Sequence, residues 1–191
     1  MKKTSKQTPE SSLRIIAGEM RGRKISFASA EGLRPTLDRI RETLFNWLAY
    51  DIHGSECLDL FAGSGALGFE AISRGAASVV MVDNNAQVCQ KLKANQTLLK
   101  IENMEVINQS YAEYLNQNDK KFDLIFLDPP FHQNLLPVVF QSLHQHIKPN
   151  GLVYVEQEKQ TALFEPDDKW LKIKNKQAGS FVYGLYQLKN D

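Results

Sequence analysis

From residue 56 onward, short apolar runs alternate with stretches whose apolar residues recur every three or four positions. The runs Val79-Val80-Met81-Val82 and Leu124-Ile125-Phe126-Leu127 are too short for helices and lack polar alternation, so they read as strands covered on both faces. In order, the pattern predicts strands over 57–62, 78–83, 104–108, 122–128 and 152–156, separated by helices over 66–74, 86–99, 112–116 and 135–147. Strands alternating with helices imply a mostly parallel sheet with crossover connections. The end differs in character: the alternating runs 169–177 and 181–188 flank Ala178-Gly179-Ser180 and predict an antiparallel hairpin at the edge, for seven strands in all.

Ahead of this α/β body lies a smaller unit. Residues 13–18 and 24–27 read as two short strands joined by a turn around Met20-Arg21-Gly22. Gly32-Leu33-Arg34-Pro35-Thr36 then stops the chain. After it, Leu37, Ile40, Leu44, Trp47 and Leu48 recur at helical spacing, with Thr36 as the expected N-cap and Asp38, Arg39, Arg41 and Glu42 on the opposite face. The expected organisation is a disordered tail over 1–12, a hairpin and helix over 13–54, and a single α/β domain over 55–191.

Composition changes this picture in one respect. The 191 residues are 42% hydrophobic and 24% charged, ordinary values for a globular chain, and the net charge is only +1. Residues 1–41, however, carry ten Lys and Arg against four Asp and Glu. A basic arm on a slightly acidic body suggests that one face meets a polyanion. No apolar run is long enough to span a membrane, and no apolar stretch follows the first lysines as in a secretory signal, so the expected location is the cytoplasm. Cys57 and Cys89 fall in patterned segments and read as reduced core thiols. Of the four histidines, none pairs with a cysteine or an acid at metal-ligand spacing, so no metal is expected; His132 reads as a surface loop residue.

The first chemical signal is Asp59-Leu60-Phe61-Ala62-Gly63-Ser64-Gly65-Ala66-Leu67-Gly68, a strand ending in Gly-x-Gly-x-x-Gly that opens a helix and lets a nucleotide approach the backbone. The next strand ends in Asp83-Asn84, where a carboxylate can accept from both ribose hydroxyls of an adenosine. Asp59 at the mouth of the loop would repel a pyrophosphate. An acid there suits a cationic cofactor such as S-adenosyl-L-methionine.

The second signal is Asp128-Pro129-Pro130-Phe131, directly after a buried strand. Consecutive prolines hold the backbone extended and leave carbonyls free. The Asp128 carboxylate and the Pro129 carbonyl can then each accept a hydrogen bond from a planar exocyclic amine, while Phe131 stacks on its ring.

These residues resemble the Class I S-adenosylmethionine-dependent methyltransferases with an (Asp/Asn)-Pro-Pro-aromatic tetrapeptide. The strings Leu13-Arg14-Ile15-Ile16-Ala17-Gly18-Glu19-Met20-Arg21-Gly22-Arg23 and Gly32-Leu33-Arg34-Pro35-Thr36-Leu37-Asp38-Arg39-Ile40-Arg41-Glu42-Thr43-Leu44-Phe45 more narrowly resemble the RsmD family of 16S rRNA guanine-N2 methyltransferases. The resemblance implies a Rossmann-like methyltransferase fold and transfer of one methyl group to the exocyclic N2 of a guanine in small-subunit rRNA, in an assembled or assembling subunit. By position, Asp59, Phe61, Ala62, Gly63, Ser64 and Gly65 should line the methionine end of the cofactor, Asp83 and Asn84 the ribose, and Ser110 the adenine. At the adenine site, many relatives place an acid where this chain reads Asn108-Gln109-Ser110-Tyr111. Arg14, Arg21, Arg23, Lys24, Arg34, Arg39 and Arg41 are the expected phosphate contacts, a small arm that grips a preshaped RNA rather than reading many bases. The competing readings are an adenine-N6 nucleic-acid methyltransferase, a glutamine-side-chain methyltransferase, a non-catalytic RNA-binding module and an NAD-dependent oxidoreductase.

Overall fold

The computed structural model describes residues 10–28, 35–130, 133–159 and 163–189, without the side chains of 10, 28 and 35–37. An antiparallel hairpin, β1 (Glu10–Arg14) and β2 (Lys24–Ala28), precedes helix α1 (Pro35–Trp47). There follow β3 (Glu56–Asp59), α2 (Ala66–Ser73), β4 (Ser78–Asp83), α3 (Ala86–Leu99), β5 (Met104–Asn108), α4 (Tyr111–Gln117), β6 (Phe122–Leu127), α5 (Leu136–Leu143), β7 (Ile147–Glu158), β8 (Trp170–Ala178) and β9 (Phe181–Leu188). The last seven strands form one sheet in the order β5-β4-β3-β6-β7-β9-β8, parallel from β5 to β7 and antiparallel at β9 and β8. This is the mostly parallel seven-stranded α/β sheet that the pattern implied, in the Rossmann-like arrangement that the resemblance implied. Strand order reverses between β3 and β6, and the crevice beyond the carboxyl ends of that pair is where open α/β sheets bind ligands.

Each sheet face carries its own core. Phe45, Phe69, Met81, Phe126 and Tyr154 are buried on the face shared by α1, α2 and the hairpin. Val80, Ile125, Val153, Val139 and Phe140 are buried on the other, under α4 and α5. Trp47 stacks near Tyr183 at 5.5 Å, and Trp170 meets Phe140 edge-on at 5.1 Å. Both cysteines are free and buried.

Several boundaries differ from the pattern. The hairpin begins at Glu10, paired with Ala28, so residues 10–12 of the expected tail are strand; residues 1–9 lie outside the described residues. Strand β1 ends at Arg14, not 18, because the N–H groups of Ile16 and Ala17 turn away to the Glu70 carboxylate at 2.8 and 3.0 Å. Helix α1 starts on Pro35, whose missing N–H costs nothing in a first turn, so Thr36 lies inside the helix and is not its cap. The expected helix over 135–147 is two elements: α5 ends at Leu143, and Ile147 already pairs with Phe122. A bulge then carries Pro149 and Asn150, the latter at positive φ, before pairing resumes at Leu152.

The hairpin is docked by buried polar groups. Glu70 on α2 is fully buried and accepts from Ile16, Ala17 and Arg74, with Arg41 at 3.8 Å. Asn95 on α3 brackets the backbone of Ser26, accepting its N–H at 3.1 Å and donating to its carbonyl at 2.7 Å. Gly18, at φ +82°, sits so close to α2 that a Cβ would fall 1.7 Å from the Ser73 carbonyl oxygen.

Candidate active site

A cleft of about 410 Å³ opens at the strand-order reversal. Its rear is built by β3 and the turn after it. Asp59 ends β3 at 2% exposure, and one of its oxygens accepts the Gly68 N–H at 3.1 Å, which ties the acid to the first turn of α2. Burial pushes the Asp59 carboxyl up to about 7; the Gly68 bond opposes this and the Asp83 charge adds to it. Phe61, Ala62, Gly63 and Ser64 line the cleft beside it. Gly65 does not line it. At φ +79° it is the N-cap of α2, and a Cβ there would meet Leu92 at 2.6 Å and Phe69 at 2.7 Å, so packing and backbone conformation by themselves call for glycine at this position.

Asp83 and Asn84, from the end of β4, form the next wall. Each Asp83 oxygen already accepts one backbone N–H, from Gly63 at 3.0 Å and from Asn85 at 2.8 Å, which aims the carboxylate and leaves one lone pair on each oxygen. Ser110 also lines the cleft, but its hydroxyl donates to Glu113 and accepts the Glu113 N–H in a capping box that starts α4. Gln109 and Tyr111 reach the cleft beside it, and Tyr111 lies 5.4 Å from Phe61, ring to ring. Neither was marked by a motif. The one available signal was the capping pattern Ser110-x-x-Glu113, which exposes its neighbours at a helix start.

The opposite wall is Asp128-Pro129-Pro130, with Gln133 and Leu135 beyond it. Asp128 is half-buried at the cleft and holds its proton well above the usual carboxylate range, first through desolvation, then through Glu156 and Asp59. Phe131 and His132 lie outside the described residues. Asp59, Asp83 and Asp128 thus converge on one cleft, and no Lys, Arg or His is among its described lining residues. A lining of acids with no base suits a cation and not a phosphate, and a bound cation would draw the protons off Asp59 and Asp128. Its hydrogen-bonding capacity is acceptor-rich, as required to hold an ammonium, a ribose diol and an amine.

The basic arm divides. Arg14, Arg21, Arg23, Lys24 and Arg39 are exposed, with Arg14 and Lys24 paired across the hairpin. Arg34 lies outside the described residues. Arg41 contradicts the expectation: at 4% exposure it donates to the Arg14 carbonyl at 2.7 Å and to Asp38 at 3.0 Å and faces Glu70, so it locks α1 to the hairpin and has no free face for RNA. Its place opposite the apolar stripe looked exposed because the pattern could not show that the hairpin packs there. Among the described residues, no cluster of three metal-ligating side chains forms and no helix is long and apolar enough to cross a membrane.

Comparison with known proteins identifies the family and the fold. The profile of the family described as Conserved hypothetical protein 95 matches residues 13–187. The ribosomal RNA small subunit methyltransferase D of Haemophilus influenzae is 49% identical over 193 residues, covering 98% of this chain and 100% of that one. A solved Escherichia coli structure is similar with a TM-score of 0.86 and 39% identity, covering 94% of this chain and 99% of that one. A Thermus thermophilus 16S rRNA N2 methyltransferase, in complex with AdoMet and guanosine, shares the fold at a TM-score of 0.69 and 19% identity, covering 95% of this chain and 50% of that one.

Proposed function

Given that the chain belongs to the Conserved hypothetical protein 95 family, together with the ribosomal RNA small subunit methyltransferases D, we propose that it transfers a methyl group from S-adenosyl-L-methionine to the exocyclic N2 of a guanine in 16S rRNA. The observation that carries the reading is the convergence of Asp59, Asp83 and Asp128 on a cleft with no basic residue among its described lining, closed on one side by Pro129 and Pro130. This donor set fits a cationic adenosine cofactor and does not fit a dinucleotide pyrophosphate.

Asp59 and the turn 61–64 would hold the aminoacyl end, the free lone pairs of Asp83 the ribose hydroxyls, and the Tyr111 and Phe61 rings the adenine, with Gln109 able to bond its edge. Bound there, S-adenosyl-L-methionine supplies an electrophilic methyl group on a sulfonium. The chain's own contribution is positioning and charge. Asp128 and the Pro129 carbonyl accept the two N–H bonds of the target amine and so orient its lone pair. Phe131, by its place in the tetrapeptide, would stack on the base.

Arg14, Arg21, Arg23, Lys24 and Arg39, with Arg34 by its place before α1, would grip phosphates, while the fold of the RNA brings the guanine out of its stack to Asp128. The substrate is then a small subunit or an assembly intermediate, and the protein works in the cytoplasm, where subunits are built. Incubation with labelled cofactor tests the acceptor class, using small subunits from cells lacking this protein, naked 16S rRNA and duplex DNA. Label in subunit RNA supports the reading; label confined to DNA or to protein overturns it.

A further inference from the structure

Glu156 lies outside the cleft lining, yet its position ties it to Asp128. Strands β6 and β7 pair in parallel through Leu127 and Val155, so Asp128 and Glu156 are the next residues on neighbouring strands, on the same sheet face. Glu156 pairs in turn with Tyr183 on β9. It is 4% exposed; one oxygen accepts the Tyr154 hydroxyl at 2.7 Å and the other, Oε1, has no partner. The Tyr183 hydroxyl is likewise buried without a partner. A buried carboxyl with an open oxygen is costly to keep, and no ion pair among the described residues offsets it.

We propose that Glu156 is a positioning residue for methyl transfer, acting through Asp128: its charge, held in place by Tyr154, makes the Asp128 carboxylate a stronger proton acceptor. The proposal rests on the methyl-transfer reading and adds a destination for the proton. Methylation of an exocyclic amine forms an N–C bond, breaks an S–C bond whose electron pair stays on sulfur, and leaves the nitrogen with a proton to lose. Until transfer is complete the amine is a weak acid, and an ordinary exposed carboxylate draws on its proton only weakly. One beside a second buried carboxylate takes it more readily, because like charges in a low dielectric favour protonation of one of them. The groups facing this pair are Asp59 from β3, Tyr154 on β7 and Tyr183 from β9, and none of them is a cation. Burial raises the Glu156 carboxyl and the Tyr154 bond opposes that rise, whereas no hydrogen bond opposes the rise at Asp128, which favours Asp128 as the member of the pair that takes the proton.

The test has two readouts. In protein carrying carbon-13-carboxyl aspartate, with the Asp128 resonance assigned through Asp128→Asn, the titration midpoint of Asp128 should fall by about one pH unit or more in Glu156→Gln. It should also fall in Tyr154→Phe and return towards the wild-type value in Glu156→Asp. In single-turnover methyl transfer, the acid limb of the pH profile should move the same way while cofactor affinity holds. An unmoved midpoint in both Glu156→Gln and Tyr154→Phe overturns the pairing, and if Glu156→Gln does not fold, Tyr154→Phe alone decides. A shifted midpoint with an unmoved acid limb overturns the role in transfer. A wild-type protein that methylates no RNA counts against the functional reading and leaves the titration result to judge the pair.

Discussion

The Gly63 backbone N–H donates to the Asp83 carboxylate at 3.0 Å, joining the turn after β3 to the end of β4. The two walls expected to bracket a nucleoside are therefore registered on each other by the protein alone. Replacing Asp83 removes both a ligand acceptor and the brace on the loop. Asp83→Asn keeps an acceptor for Gly63 but turns its NH2 towards the Asn85 N–H and can accept from only one ribose hydroxyl, and should weaken cofactor binding by about 1–3 kcal/mol while costing about 1 kcal/mol of stability. Calorimetric titration of both proteins checks this.

Asp59 gives a pH prediction with a definite sign. Its carboxyl stands at about 7 in the folded chain, above the ordinary value of 3.8. The folded state therefore binds the proton more tightly, and the stability this contributes is full at acid pH and is lost as pH rises from about 4 through about 7. Asp128 and Glu156, also raised, act in the same direction. Without cofactor, the unfolding midpoint should fall between about pH 5 and about pH 8, and Asp59→Asn should flatten part of that fall. Affinity for a cationic cofactor should rise over the same range, because the charged form of Asp59 attracts it. A midpoint that rises with pH to the same extent in wild type and Asp59→Asn would contradict the assignment.

The arm should separate by function. Arg21→Ala with Arg23→Ala should leave stability nearly unchanged, weaken RNA binding and make the salt dependence shallower by about one for each phosphate no longer neutralised. Arg41→Met should do the reverse. It strips Glu70 of one of its two cations and frees the Arg14 carbonyl, and should cost about 2 kcal/mol of stability. Urea unfolding and filter binding at several salt concentrations distinguish the two patterns.

Docking of the hairpin should depend on Gly18 and Asn95. Gly18→Ala combines positive φ with a backbone clash and should destabilise by at least about 2 kcal/mol. Asn95→Ala leaves the Ser26 N–H and carbonyl without their partner and should cost about 1–3 kcal/mol. Both should raise the susceptibility of the hairpin to protease while leaving the α/β body folded.

Much of this was legible in the sequence because the relevant signals are local. The run Val79-Val80-Met81-Val82 reads as a buried strand at that length, and Asp59 and Asp83 end, and Asp128 directly follows, three parallel strands whose carboxyl ends the topology gathers. What escaped was non-local. Glu70 looks like a solvated helix residue until the hairpin folds onto it, and Arg41 is drawn inward by the same packing. Gly65 reads as a ligand glycine by motif, although Leu92 and Phe69 are what exclude a side chain there. Glu156 sits in a plain strand, and its bearing on Asp128 depends on the register between β6 and β7. The boundary at Ile147 was hidden because a bulge carries Pro149 and Asn150 inside the strand.

Everything proposed for the cleft turns on whether Asp128 and Pro129 present a guanine amine for methylation. Nucleoside analysis of small-subunit rRNA after a single turnover, with wild-type protein and with Asp128→Ala, decides it. N2-methylguanosine is the expected product of the wild type, with none from Asp128→Ala and cofactor affinity retained. N6-methyladenosine as the product, or an undiminished rate in Asp128→Ala, would contradict it.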